Sequence, residues 1–284
     1  MQFAFNPIFM TDSLMKKEDL KKTFVLGNEL TQEQLSFFDK YGFIHFTNYF
    51  TPEQVQAGIK AMEDVERDWI KNNVTKMNGI PIKYGVDENG KTIVQRFAFA
   101  SLSSPVLHEF LADPRLQALK GFVGDDSRIG ENEKDGVVIS HYVNTEDSQL
   151  AKLGWHTDGM RDVFAGFRLD PMVNVGISLD DSPREKGGLR VLPGSHKQNI
   201  YEFFFKKKHF IDNRDDKNEF AIETRAGDLT VHHGRVWHRA ALATVKGAAS
   251  KRRMMYFPII AGKFKPKSEK SKTPIYHHFQ RVIG

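Results

Sequence analysis

The chain has 284 residues, 40% of them hydrophobic and 23 of them phenylalanine, enough to bury one large core or two small ones. It contains no cysteine, which removes disulfide frameworks, thiolate metal sites and cysteine nucleophiles together, so a bound metal would draw its ligands from His, Asp and Glu. No apolar run approaches the roughly 18 residues of a membrane span, and the net charge of +5 sits late, since from Arg239 onward only Glu269 opposes the lysines and arginines.

The opening MQFAFNPIFMTDSLMKK begins without basic residues and soon meets Asn, Pro and Asp. It does not read as a secretory signal, and a cytoplasmic location is expected. Residues 1–30 read as an extension holding a short helix in DSLMKKEDLKK. LTQEQLSFFDKYGF predicts a helix: Leu30, Leu35, Phe38 and Tyr41 approximate helical spacing, Thr31 with Gln34 forms a capping box, and Gly42 ends it. IHFTNYF reads as a strand. TPEQVQAGIKAMEDVERDWIKNN opens with a proline in the first turn and carries Ile59, Met62, Val65 and Ile70 on one face.

Residues 73–105 are loop-like, with short strands in PIKYGV and IVQRFAF. PVLHEFLADPRLQALKGFVG predicts two short helices divided at Asp113-Pro114. The period then changes. GVVISHYVN, MVNVGISLDD, GGLRVLPGSH, DLTVHHGRVWHRA and RRMMYFPII are strand-like and separated by turn signals. Helices first and strands later, without βαβ alternation, predict helices packed on an antiparallel barrel or sandwich. Residues 199–220, NIYEFFFKKKHFIDNRDDKNEF, are aromatic, charged and aperiodic, the pattern of either a lid or a surface insertion. The basic C-terminal stretch reads as a solvated tail; no nucleic-acid motif accompanies its charge.

The chemistry-bearing pattern begins at GWHTDGM. On a strand, residues i and i+2 share a face, so His156 and Asp158 are able to reach one metal. Two histidines and one carboxylate with the other positions open is the arrangement of non-haem Fe(II) oxygenases. The third ligand must come from another strand, and DLTVHHGRVWHRA offers His232, His233 and His238; spacing alone leaves all three open. Further on, Arg252 and Arg253 are adjacent on a strand and point to opposite faces. A buried guanidinium needs an anion, and a dicarboxylate cosubstrate would supply one.

The order His156-x-Asp158, then GGLRVLPGSHK (187–197), then AGDLTVHHGRVWHRA (226–240), then Arg252 resembles the phytanoyl-CoA hydroxylase (PhyH) family of Fe(II)/2-oxoglutarate dioxygenases. LTQEQLSFFDKYGFIHFTNYFTPEQV is similar to that family's opening helix, strand and helix. The resemblance implies a double-stranded β-helix, the jelly-roll or cupin-like barrel. It implies an N-terminal extension at 1–30, one dioxygenase domain at 31–262 and a basic tail at 263–284. It implies His156, Asp158 and His238 as iron ligands, because His233 to His238 matches the family's closing histidine pair. Arg252 would hold the distal carboxylate of 2-oxoglutarate, with Arg253 as competitor, and His141, Tyr142 and Asn144 on the preceding strand would help bind the cosubstrate.

Trp155 and Trp237 flank proposed ligands and read either as packing or as a substrate wall. Arg161, Phe164, Phe167 and Arg168 follow the H-x-D and would face substrate or solvent. His196 reads as a structural hydrogen-bonder. The expected cofactors are Fe(II), 2-oxoglutarate and O2, and the expected reaction is oxidation of a C–H bond in a small-molecule metabolite. A carboxylate at Asp158 favours hydroxylation over halogenation. Desaturation or cyclisation uses the same ligands, and a ligand-binding barrel without turnover is the reading from another class. Binding to nucleic acid is not expected, and oligomeric state is not legible.

Overall fold

The computed structural model describes residues 17–148, 150–160 and 169–274. Helix α1 (Gln32–Tyr41) starts at Thr31, whose hydroxyl accepts from the Gln34 N–H while the Gln34 side chain accepts from the Thr31 N–H. This satisfies two donors that a first turn leaves open. Gly42 ends the helix with φ +74°, and a Cβ there would lie 2.4 Å from the His196 ring. Strand β1 (Phe43–Phe46) follows, then helix α2 (Pro52–Lys71), capped in the same way by Thr51 and Gln54. Helix α2 buries Val55, Met62, Val65 and Trp69.

Strands β2 (Lys76–Met77) and β3 (Ile80–Pro81) form a small hairpin, and β4 (Lys83–Val86) pairs with β5 (Thr92–Arg96). The short helices α3 (Pro105–Glu109) and α4 (Arg115–Ala118) flank Asp113-Pro114. The strand-rich part comprises β6 (Arg128–Ile129), β7 (Val138–Asn144), β8 (Leu153–His156), β9 (Met172–Ser178), β10 (Gly188–Val191), β11 (Phe220–Ala221), β12 (Leu229–His233), β13 (His238–Ala241) and β14 (Gly247–Ile260). The larger sheet runs β1-β12-β9-β14-β7-β5-β4, with β6 also on β14; the smaller runs β11-β10-β13-β8. Every strand pair within them is antiparallel. This is the jelly-roll, double-stranded β-helix architecture.

Strand parity divides the molecule. Val173, Val175 and Ile177 of β9 and Met255, Phe257 and Ile259 of β14 join the core shared with the helices. Their neighbours Met172, Asn174, Tyr256 and Pro258 line a cavity that the smaller sheet closes from the other side. One face of the larger sheet thus holds the helices and the other faces the site.

Four boundaries differ from the sequence reading. The N-terminal extension does not stay outside the domain through residue 30: Leu20, Phe24 and Leu26 are core residues. Phe24 donates its N–H to His45 O at 2.9 Å and accepts from Thr47 N at 2.8 Å, covering the open edge of β1. DLTVHHGRVWHRA is two strands in two sheets. It breaks at Gly234, whose N–H donates to Met172 O at 2.9 Å and where a Cβ would lie 2.4 Å from Met172 Cγ. Strand β14 begins at Gly247 rather than Arg252. The basic stretch after β14 is not wholly a solvated tail. Phe264 packs with Met172 and Ile260, and Lys267 N–H donates to Asn132 O at 2.7 Å.

Asp228 ties the start of β12 to the turn after β1, accepting from His45 Nε2 at 2.9 Å, Asn48 N at 3.0 Å and Arg225 N at 2.8 Å. Burial alone would raise its pKa, but these donors hold the carboxyl below the ordinary range. Asp228→Ala leaves several buried donors without an acceptor and should cost about 3 kcal/mol, read as a lower urea midpoint. A carboxyl whose pKa is lowered by folding contributes fully above its unfolded value of about 4 and loses that contribution as pH falls through the folded value. Stability of the wild type should therefore fall more steeply than that of the variant on acidification below about pH 4.

Candidate metal centre and cavity

Strands β8 and β13 are neighbours, and their register sets His156 directly opposite His238. Opposed residues on paired strands leave the sheet on the same face, about 5 Å apart. The two rings lie 4.1 Å apart between centroids. Asp158 stands just past the end of β8, where the chain turns helical at residues 158–160, and its carboxylate lies beside the histidines. One ligand atom from each of His156, Asp158 and His238 falls within 4.8 Å of the others, and all three residues are buried. His156 Nδ1 donates to Gly154 O at 2.7 Å and His238 Nδ1 to Val236 O at 3.0 Å. With Nδ1–H committed, Nε2 is the ring nitrogen through which each histidine would ligate a metal.

The larger sheet supports this set from across the cavity. Asn174 Nδ2 and His232 Nε2 each lie 3.2 Å from Asp158 Oδ2. His232, one of the three candidate third ligands, therefore faces the carboxylate, its ring 4.3 Å from that of His238, and stands outside the three-residue cluster. His233 points the other way: its Nδ1 accepts from Arg235 N at 3.0 Å, its ring lies 5.3 Å from that of His196, and burial pushes its pKa down to about 4. His196 donates Nε2–H to Asp39 O at 2.9 Å, the structural role expected of it.

The two arginines separate by parity. Arg253 is held by Asp180, through Nε at 2.8 Å and Nη2 at 2.7 Å, with Glu63 at 3.5 Å. Arg252 is 1% exposed and lies over the Tyr142 ring at 4.0 Å, yet its Nε and Nη2 have no hydrogen-bond partner. Leaving two donors of a buried guanidinium unpartnered is costly unless an anion joins them. Tyr256, whose hydroxyl burial pushes well above the ordinary phenol range, lies beside it.

Of the residues expected on β7 to bind cosubstrate, Tyr142 lines the cavity and the other two do not. His141 faces a second cavity beside α2, and burial with the nearby Arg253 charge pushes its pKa down to about 4. Asn144 spends its amide on Ala243 O at 2.9 Å and Val245 O at 3.0 Å. Trp155 and Trp237 are not cavity walls. They pack with Leu192 and donate Nε1–H to Arg214 O at 2.8 Å and Gln198 Oε1 at 2.7 Å. Each precedes an inward histidine, so alternation sends it outward. Arg161, Phe164, Phe167 and Arg168 lie outside the described residues.

Residues 199–220 cover the outer side of the smaller sheet. Phe210 N–H donates to Trp155 O at 2.7 Å, Trp155 N–H donates to Asp212 O at 2.8 Å, and the Phe210 ring stacks on His156 at 4.8 Å. Asn174, His232 and Tyr256 were not singled out as site supports by sequence reading. Asn174 had a visible signal, a lone amide in the apolar strand MVNVGIS. The cavity itself measures about 380 Å³.

Comparison with known proteins agrees with this geometry. Ectoine dioxygenase of Bordetella bronchiseptica is 25% identical over 179 residues, covering 61% of this chain and 52% of its own length. The chain thus spans about half the length of that curated relative. A probable alpha-ketoglutarate-dependent hypophosphite dioxygenase of Stutzerimonas stutzeri is 24% identical over 225 residues, 73% of this chain and 71% of its own. Among solved structures, the alpha-ketoglutarate-dependent carbocyclase SnoK from nogalamycin biosynthesis has a TM-score of 0.61 at 19% identity, covering 92% of this chain and 94% of its own. HygX from Streptomyces hygroscopicus, solved with nickel and 2-oxoglutarate, has a TM-score of 0.57 at 20% identity, covering 84% and 89%. The family model for phytanoyl-CoA dioxygenase (PhyH) matches residues 38–249, from within α1 into β14 and through every strand that carries the cluster, and the chain belongs to that family.

Proposed function

We propose that this protein is a non-haem Fe(II)/2-oxoglutarate-dependent dioxygenase that oxidises a small molecule, in the simplest case by hydroxylating a C–H bond. The observation that carries the reading is a buried His–Asp–His cluster lining the cavity together with a buried arginine, two of whose donors are unpartnered, packed on the cavity-lining Tyr142. Both parts fit the cofactors: two neutral imidazole nitrogens and a carboxylate suit Fe(II), and an idle guanidinium fork suits a dicarboxylate. Iron(II) with 2-oxoglutarate and O2 supplies the oxidising power, releasing succinate and CO2.

The residues of this chain then have distinct tasks. His156, Asp158 and His238 would hold the metal through two imidazole nitrogens and one carboxylate oxygen. Asn174 and His232 hold Asp158 Oδ2 and so orient the carboxylate. Arg252 would pair with the distal carboxylate of 2-oxoglutarate through Nε and Nη2, its plane set by the Tyr142 ring. Burial keeps water from competing for these donors. With Asp158 as a ligand, the set would contain a carboxylate where a halide would otherwise be needed, which favours oxygen insertion over halogenation. A ligand-binding barrel without turnover would need neither an open metal face nor an anion-seeking Arg252. Cyclisation and desaturation use the same residues and depend on how the substrate is presented. No helix among the described residues is long and apolar enough to cross a membrane, and a cytoplasmic location suits the cysteine-free chain.

Anaerobic addition of Fe(II) and then 2-oxoglutarate should produce a visible metal-to-ligand charge-transfer band. The band should vanish in His156→Ala, while Arg252→Ala should raise the 2-oxoglutarate concentration needed for it by about 30-fold or more, the cost of removing one partner from a buried charge pair. A wild-type protein that binds iron and gives no band defeats the proposal. Asp158→Ala should abolish succinate release in the presence of substrate; full turnover in that variant would remove Asp158 from the ligand set.

A further inference from the structure

Met172 stands beside the metal site and is fixed from several sides. It opens β9 directly opposite Ile260 at the end of β14, and opposed residues on paired strands leave the sheet on the same face. Its carbonyl accepts Gly234 N–H at 2.9 Å, and its Cγ fills the space that a Cβ on Gly234 would need. Its Sδ accepts from Lys134 Nζ at 3.0 Å. Asn174, two residues further along the same face of β9, reaches Asp158 Oδ2 at 3.2 Å. At 3.3 Å of rise per residue, Met172 is thus about 7 Å along the strand from the contact that orients Asp158.

Phe264 completes a wall on this cross-strand pair. Its side chain packs with Met172 and Ile260, and both Phe264 and Met172 line the cavity that His156, Asp158 and His238 line. The segment that carries it has neither helix nor strand, yet it is pinned along its length. Arg128 donates Nη1–H to Gly262 O at 3.2 Å and Nη2–H to Phe264 O at 3.3 Å. Lys267 N–H donates to Asn132 O at 2.7 Å. Ser271 O sits where a Cβ on Gly79 would stand. The wall is therefore set in place by the protein's own contacts, and a ligand need not order it on binding.

We propose that Phe264 and Met172 are the specificity-determining residues of this site: their apolar wall receives the part of the substrate next to the carbon that is oxidised and sets the largest group admitted there. The substrate class so selected is a small molecule whose reacting end is aliphatic, because an apolar wall stabilises an apolar group and leaves a polar one without partners. The proposal rests on the oxygenase reading and narrows it. Size matters because about 380 Å³ must hold that end together with 2-oxoglutarate.

The test uses N-oxalyl amino acids, which keep both carboxylates of 2-oxoglutarate and replace one methylene by an amide N–H. An arm on their amino-acid carbon must find room in the rest of the cavity. The glycine, alanine, leucine and phenylalanine derivatives, in both hands where chiral, are titrated anaerobically against 2-oxoglutarate on Fe(II)-loaded protein, and displacement is read as loss of the charge-transfer band. Wild-type affinity should drop at one arm size. Phe264→Ala should move that cut-off to a larger arm and improve binding of the first rejected inhibitor about 10-fold or more, the scale on which a pocket wall discriminates by size. Phe264→Trp should move it to a smaller arm. Met172→Ala changes the wall from the sheet side and should act like Phe264→Ala. N-oxalylglycine should bind all four proteins alike, which reports an intact fold and metal site. In whichever protein admits the leucine arm, the near-isosteric asparagine arm should bind more weakly. The same cut-off in wild type and every variant, no cut-off up to the phenylalanine arm, or parity of leucine and asparagine overturns the proposal. A wild type that gives no band with 2-oxoglutarate would instead overturn the oxygenase reading, so the two failures are distinguishable.

Discussion

A side chain on a β-strand has two directions in which to leave, and the register of β8 against β13 uses that restriction to set His156 opposite His238. The histidine pair of the cavity follows from this pairing. It places two imidazoles side by side on the inner face of the smaller sheet. Their Nδ1–H groups are taken by the carbonyls of Gly154 and Val236, each two residues back along the same strand region. The backbone that builds the sheet thus also selects the tautomer. The larger sheet answers with Asn174 and His232, which reach Asp158 from the facing side. A metal cluster assembled from one sheet and steadied from the other depends on the distance between the sheets, so the packing that holds them together is part of the site.

The same parity governs charge. Arg252 and Arg253 are chemically identical neighbours with opposite fates. Arg253 emerges on the helix side, where Asp180 takes it in a two-pronged pair. Arg252 lies on the other side, over the ring of the cavity-lining Tyr142, with two idle nitrogens. Burying a guanidinium in this way is expensive, and a fold keeps such a residue when a ligand repays the desolvation. The apolar belt of β14 on its helix-facing side, Met255, Phe257 and Ile259, offsets part of that cost through the core it shares with α2.

Two segments outside the central sheets complete the environment. Residues 199–220 pad the outer side of the smaller sheet, where Trp155 and Trp237 would otherwise meet water, and they cover the free edge of β8 through Phe210 and Asp212. The segment after β14 turns back over the cavity, seated by Phe264 against Met172 and Ile260. One thickens the wall behind the metal ligands; the other sets the charge of the space in front of them.

Much of this molecule was legible in its sequence. The capped helices, the Asp113-Pro114 break and the switch to strand period all depend on contacts within a few residues, and local chemistry suffices to write them. The H-x-D pair, the closing histidine and the arginine pair were visible as residue types in the order a metal–dicarboxylate site requires. Tertiary structure was needed wherever two distant segments had to meet. It separated His232, His233 and His238 by dividing one apparent strand between two sheets at Gly234, where contact with Met172 leaves no room for a side chain. It turned His141, Trp155 and Trp237 away from the cavity, and it folded the basic C-terminal stretch inward. Residue identity and local order are properties of the chain alone. Which face a residue occupies, and which partner neutralises it, depend on pairing register and long-range packing that no short stretch of sequence contains.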